Sequence, residues 1–176
     1  MASYAGALFL FAPIIGSLSD AYGRKPVLIA ALFVLAVDYV LMALASVFWV
    51  LLIGRILAGV AGATYTTATA YIADISSKTE RAVRFGMIGA AFGIGFVLGP
   101  AIGGIAAEIH ITAPFWIAAV MSAANVLFGL FVLPESLAPE KRRPFGFRDL
   151  NPFKAILDAF RLPGLVIPLI CLFIFE

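Results

Sequence analysis

The chain has 176 residues, of which 63% are hydrophobic and 12% charged. An average soluble domain is roughly 45–50% apolar with about twice this share of charge, so an ordinary water-soluble fold is excluded. A net charge of +2 gives no footprint for a nucleic-acid partner, and the single Cys171 excludes an internal disulfide and a multi-cysteine metal site.

Five long apolar segments follow one another at 1–19, 26–46, 48–73, 83–107 and 112–133. Each is near or above the ~20 residues that cross a bilayer as a helix. The predicted fold class is therefore all-α membrane protein, with the lipid bilayer as its first partner. Links at 46–48 and 108–111 are short, so the helices they join run as antiparallel hairpins. The first segment has no basic lead-in and no small-x-small cleavage site, so it is not read as a secretory signal.

Between the first two segments lies a charged, turn-rich stretch, Gly16-Ser17-Leu18-Ser19-Asp20-Ala21-Tyr22-Gly23-Arg24-Lys25-Pro26. Gly23 permits a tight turn and Pro26 fits the first turn of a helix. Basic residues gather in this loop, in the third loop (Lys78, Arg81, Arg84) and after residue 134 (Lys141, Arg142, Arg143, Arg148, Lys154, Arg161). The loops between them carry none. By the positive-inside rule the charged loops are expected in the cytoplasm. Trp49 and Trp116 fall near the opposite helix ends, where interface anchors sit.

Residues 134–162 change composition, with Pro134, Pro139, Pro144, Pro152 and the run Lys141-Arg142-Arg143. They read as a polar linker between a transmembrane unit (1–133) and the start of a further span (163–176). Within the linker, Asn151-Pro152 is a helix-start signal, and Phe153, Ile156, Leu157 and Phe160 recur at helical spacing. That pattern fits an amphipathic helix on the membrane surface or a soluble linker helix. The last apolar run stops at Glu176, short of a full span, and the first starts without a polar lead-in. A fragment cut at both ends is the expectation.

Two charges lie inside spans, Asp38 and Arg55. A charge near the bilayer centre costs roughly 3 kcal/mol or more and marks a functional-site hypothesis. Each is eight residues from the turn at Ser46-Val47, about 12 Å below it. An ion pair or a shared wet cavity is geometrically open to them, serving either proton or substrate handling or a structural lock. Arg55, Gly59 and Gly62 share one helix face, where the glycines make room beside a buried guanidinium. The hydroxyls of Thr64, Thr66, Thr67 and Thr69 are expected to bond back to helix carbonyls.

The fourth segment carries Gly95, Gly99 and Gly103 at four-residue spacing, a small-residue packing stripe, with Gly104 beside it. Pro100 is expected to bend this helix. The glycines lack the strand-loop-helix context of a dinucleotide fingerprint. Asn125 lines a cavity or bonds across helices. His110 and Glu108 read as boundary residues, and Glu80–Arg84 as a solvated i, i+4 pair. No nucleophile–base pair, metal cluster or phosphate loop is visible, so an enzyme is not expected.

Three stretches together resemble the major facilitator superfamily and its drug:proton antiporter branch. Gly16-x-x-x-Asp20-x-x-Gly23-Arg24-Lys25 is similar to the loop motif between that family's second and third helices. Arg55-Ile-x-x-Gly59 is similar to its fourth-helix motif, and Gly95-x-x-x-Gly99-Pro100-x-x-Gly103-Gly104 to the antiporter motif of its fifth. Val37-Asp38-Tyr39, Tyr71-Ile72-Ala73-Asp74 and Leu133-Pro134-Glu135-Ser136 resemble the tetracycline-resistance efflux proteins within that branch. Ala21 departs from the pattern, standing where the family has Arg or Lys, which thins the charge cluster.

The resemblance implies helix two to the start of helix seven of a twelve-helix inner-membrane protein with alternating access. The first helix and the C-terminal half would be missing partners. It implies a small-molecule drug exchanged for protons, no cofactor, and the proton gradient as energy source. Asp20 and Arg24 would help gate the cytoplasmic side, with Asp74 a natural partner for Arg24. Asp38 and Arg55 would handle substrate or protons, and Gly99 and Pro100 would shape a hinge. Two alternatives stay open: a major-facilitator importer or uniporter for a small metabolite, and a membrane scaffold without transport.

Overall fold

The computed structural model describes residues 2–146. The expected amphipathic helix after Asn151-Pro152, the start of a further span at 163–176 and Cys171 lie outside the described residues.

Six helices form: α1 (Ala2–Tyr22), α2 (Arg24–Leu44), α3 (Phe48–Gly62), α4 (Tyr65–Asp74), α5 (Arg81–Ile109) and α6 (Ala113–Phe131). A single 3-10 turn, Pro139–Lys141, follows. With α3 and α4 taken as one span, Phe48–Asp74, five helices are long and apolar enough to cross a membrane. Among the described residues there is no strand.

The side chains sort by size rather than by polarity alone. The interior is built from Ala7, Ala31, Ala43, Ala61, Ala63 and Ala119. Phe96 and Phe131 point outward, 85% and 84% exposed. Lipid tails are as apolar as leucine, so burial of large side chains gives little drive, and small residues let backbones approach. Helix α1 packs along α3, α2 along α6, and α2 also crosses α3.

Three expectations from sequence are corrected. The turn-rich stretch 16–26 is almost wholly helical: only Gly23 stands between α1 and α2. Its φ of +107° lies where a side chain would strain the backbone, so one glycine reverses the chain.

The segment 48–73 is not one unbroken helix; Ala63 and Thr64 interrupt it. There Ala63 and Thr64 donate to the carbonyls three residues back, of Val60 and Ala61. Thr64 Oγ1 donates to the Ala61 carbonyl and Thr66 Oγ1 to that of Ala63 at 2.9 Å. Gly62 and Thr64, weak helix formers on either side of Ala63, and hydroxyls that compete for carbonyls explain the break. Thr69 follows the same pattern, but Thr67 Oγ1 is buried without a partner.

The third correction concerns Arg55, which the sequence places in a buried setting and the structure leaves exposed. Helix α5 stays a single helix through Pro100 and buries only Ala106. A Cβ added to Gly95, Gly99, Gly103 or Gly104 would meet nothing within 4 Å. The expected packing stripe is thus left open among the described residues.

Candidate functional site

At the charged end, one guanidinium organises the junction of α1, α2 and α4. Arg24 sits in the first turn of α2, directly after the Gly23 reversal. Its Nη1 lies 2.5 Å from Asp20 Oδ1 and donates to Ser19 Oγ at 2.6 Å, while its Nε reaches Asp74 Oδ2 at 3.2 Å. Ser19, wholly buried, donates its own proton to the Gly16 carbonyl. The planar fork of an arginine suits three acceptors in different directions. Gly16, Asp20, Gly23, Arg24 and Asp74 are therefore brought together, as is Lys25, which faces α6.

Sequence reading missed the residue that completes this end, Glu135. Its Oε1 accepts from the backbone N–H of Arg24 at 2.9 Å and its Oε2 from that of Lys25 at 3.3 Å. Gly23, the N-cap of α2, has no side chain to do this, and a carboxylate at a helix N-terminus is favoured by the macrodipole. Ser136 Oγ adds a 3.4 Å bond to Asp74, and Tyr71 donates to the Pro134 carbonyl at 3.1 Å. The signal was the run Leu133-Pro134-Glu135-Ser136, whose partners lie between 62 and 111 residues away. Beyond Ser136 the described chain returns to α1, where Arg143 N–H donates to the Asp20 carbonyl at 3.0 Å.

Nearer the opposite end a cavity of about 300 Å³ opens, with Asp38 and Tyr39 from α2, Arg55 from α3 and Tyr4 from α1 on its walls. Asp38 is 2% exposed and its Oδ1 has no hydrogen-bond partner. Arg55 is exposed on the same cavity. The ion pairs among the described residues are Asp20–Arg24, Arg24–Asp74 and Glu80–Arg84, so no ion pair joins Asp38 to Arg55. Of the two arrangements open from sequence, the shared cavity is the one found. Opposite charges and aromatic rings around one small space can hold a polar molecule or pass a proton.

Gly59 and Gly62, on the face of Arg55, let α1 come close: a Cβ at Gly59 would lie 2.5 Å from the Tyr4 carbonyl oxygen. Asn125 lies apart from Asp38, on a second cavity of about 340 Å³ shared by α2, α4 and α6. Gly95, Gly99, Pro100, Gly103 and Gly104 touch neither cavity nor cluster. His110 is exposed and bonds Thr112 Oγ1 at 2.8 Å.

A profile of the Major Facilitator Superfamily matches residues 1–175. The chain is 48% identical over 152 residues to the class C tetracycline resistance protein of Escherichia coli, covering 86% of this chain and 38% of that one. It is 43% identical over 142 residues to the class D protein of Salmonella ordonez, covering 81% and 36%. The crystal structure of the human organic anion transporter MFSD10 (TETRAN) superposes with a TM-score of 0.74 at 36% identity, covering 84% of this chain and 34% of that one. The chain thus spans between 34% and 38% of the length of these relatives.

Proposed function

The chain belongs to the Major Facilitator Superfamily, and from that premise we propose that it is part of a proton-coupled antiporter exporting a tetracycline-like drug. The observation that carries this is the cavity shared by Arg55 and a buried Asp38 whose Oδ1 has no hydrogen-bond partner, within the bilayer-spanning helices. A carboxyl group there can exchange a proton for a substrate, and Arg55 sets the field in which it does so. Identity of 40–48% to tetracycline resistance proteins supports a drug as the substrate. The relatives' greater length supports a longer parent, with a first helix and a C-terminal half completing the site between two halves. In this reading the membrane is the inner one, the charged loops are cytoplasmic, and the Arg24 cluster belongs to a gate on that side. The isolated chain does not transport.

A second reading, an importer or uniporter for a small metabolite, draws support from the organic anion transporter it superposes on and from the exposed Arg55. The test uses the full-length parent in inverted membrane vesicles, following proton efflux on addition of tetracycline and then other drugs. Efflux that disappears with Asp38→Asn fits the antiporter. Efflux unchanged by the substitution removes Asp38 from the coupling step. Silence across the panel, with the protein present in the membrane, overturns export in favour of the second reading.

A further inference from the structure

Gly54 stands outside every motif in the sequence, yet the cavity is shaped by the side chain it lacks. A Cβ built on Gly54 would lie 2.8 Å from Asp38 Oδ1 and 2.8 Å from Met42 Sδ. Both distances are well inside van der Waals contact, so any larger residue at 54 must displace one neighbour or both. Met42 can move, because its side chain is long and unbranched. Asp38 is short and buried, and the cavity it lines is open space into which its carboxyl can swing.

The two residues that flank this choice are consecutive on α3. Gly54 offers bare backbone against which the Asp38 carboxyl rests, buried and without a hydrogen bond to Oδ1. Arg55 presents a cation to the same cavity, and no ion pair joins it to Asp38. An acid and a guanidinium on one cavity attract each other, so the absence of an ion pair between them needs a physical cause.

We propose that Gly54 is a positioning residue: it provides the slot that seats the Asp38 carboxyl away from Arg55 across the shared cavity. With the slot open, Asp38 has two seats, one against Gly54 and one beside Arg55. With the slot filled, only the second remains. The inference rests on the antiporter reading only in giving Asp38 and Arg55 a part in coupling; the slot itself is a matter of geometry.

The test reads the carboxyl group directly, by infrared difference spectroscopy of the purified full-length parent in phosphatidylcholine bilayers. The Asp38 band is assigned by its loss in Asp38→Asn. In the native chain Arg55→Gln is expected to leave that band within its own width. In the double variant Gly54→Ala/Met42→Ala, truncation of the methionine removes the competing contact. There the band is expected to shift, and adding Arg55→Gln should take the shift away. Met42→Ala alone controls for the lost thioether and should leave the band in place. A band indifferent to a Cβ at 54, or a native band that already moves with Arg55→Gln, overturns the proposal. If the Gly54 variants fail to fold, a native band that moves with Arg55→Gln still overturns the proposal, and one that stays in place supports the separation it requires. No drug or proton flux is read, so failure here leaves the transport reading standing, and failure of the vesicle assay leaves the slot standing.

Discussion

Lys25 and Glu135 cap each other's helices. Glu135 accepts the first backbone N–H groups of α2, including that of Lys25, while Lys25 Nζ donates to the Leu130 carbonyl in the last turn of α6 at 3.0 Å. Charges of each sign sit at the helix end that their dipole favours. The turn at Gly23 is thereby tied to the end of α6, and Arg24 is held where it meets Asp20 and Asp74.

Removing the Glu135 carboxylate should loosen this end without unfolding the bundle. Glu135→Ala leaves the N–H groups of Arg24, Lys25 and Leu137 without their acceptor and is expected to destabilise by about 1–2 kcal/mol, with Glu135→Gln nearer half of that. Thermal unfolding in detergent measures both. Equal midpoints for all three proteins would mean that solvent replaces the cap at no loss.

Arg24 cannot be replaced by lysine. A single ammonium cannot reach Ser19, Asp20 and Asp74 together, because it lacks the fork. In the full-length parent, Arg24→Lys should lower drug-dependent proton flux by about an order of magnitude, the size of one lost charge-assisted bond. The exchange Arg24→Asp/Asp74→Arg should not restore it, since Asp20 and Ser19 would then face a carboxylate. Recovery of flux in the exchanged protein would reduce the cluster to a simple pair.

Glycines on α3 and α5 should respond oppositely. Gly59→Ala drives a methyl group into the Tyr4 carbonyl and the Ala7 side chain, and a backbone cannot yield as a side chain can. It should destabilise by about 1–3 kcal/mol. Gly95→Ala meets nothing within 4 Å among the described residues and should be neutral or slightly stabilising through helix propensity. Parallel melts of the two variants separate contact from composition.

Acid should fray the start of α5. Ser77 Oγ and Ser77 N–H both donate to Glu80 Oε2, at 2.8 and 3.2 Å, which ties together the turn that leads into α5. These bonds, then the Arg84 charge, hold the Glu80 carboxyl below its ordinary value of 4.5. Because the folded value is depressed, this stabilisation is fully present above the ordinary value and is lost as pH falls through the lowered one. Amide exchange at Arg81 and Ala82, corrected for intrinsic rates, should accelerate below that range and do so less steeply in Ser77→Ala. A pH-independent corrected rate would rule out this tie.

The order and approximate limits of the spans were legible in the sequence because they depend on local quantities, run length and the position of charges. The depth of Asp38 and Arg55 was legible for the same reason: a helix rises by a fixed 1.5 Å per residue. That Asp20, Arg24 and Asp74 belong together was suggested by resemblance to family motifs; the bonds themselves came from the structure. Four features were not read from the sequence. Glu135 was overlooked because its partners lie 110 and 111 residues away. The break at Ala63–Thr64 was overlooked because apolar periodicity continues across it. Gly54 looked like any glycine in an apolar run, and the exposure of Arg55 was hidden because hydrophobic neighbours in sequence say nothing about neighbours in space.

Sequence alone therefore determined that this chain inhabits a membrane and which end carries its charge, since both follow from transfer free energies that add along the chain. Tertiary structure alone decided that Asp38 and Arg55 share a cavity without pairing, and that one glycine and one distant glutamate hold the charged end in shape. Those outcomes depend on how helices rotate and approach one another, which close contacts between small residues fix and which no single helix encodes.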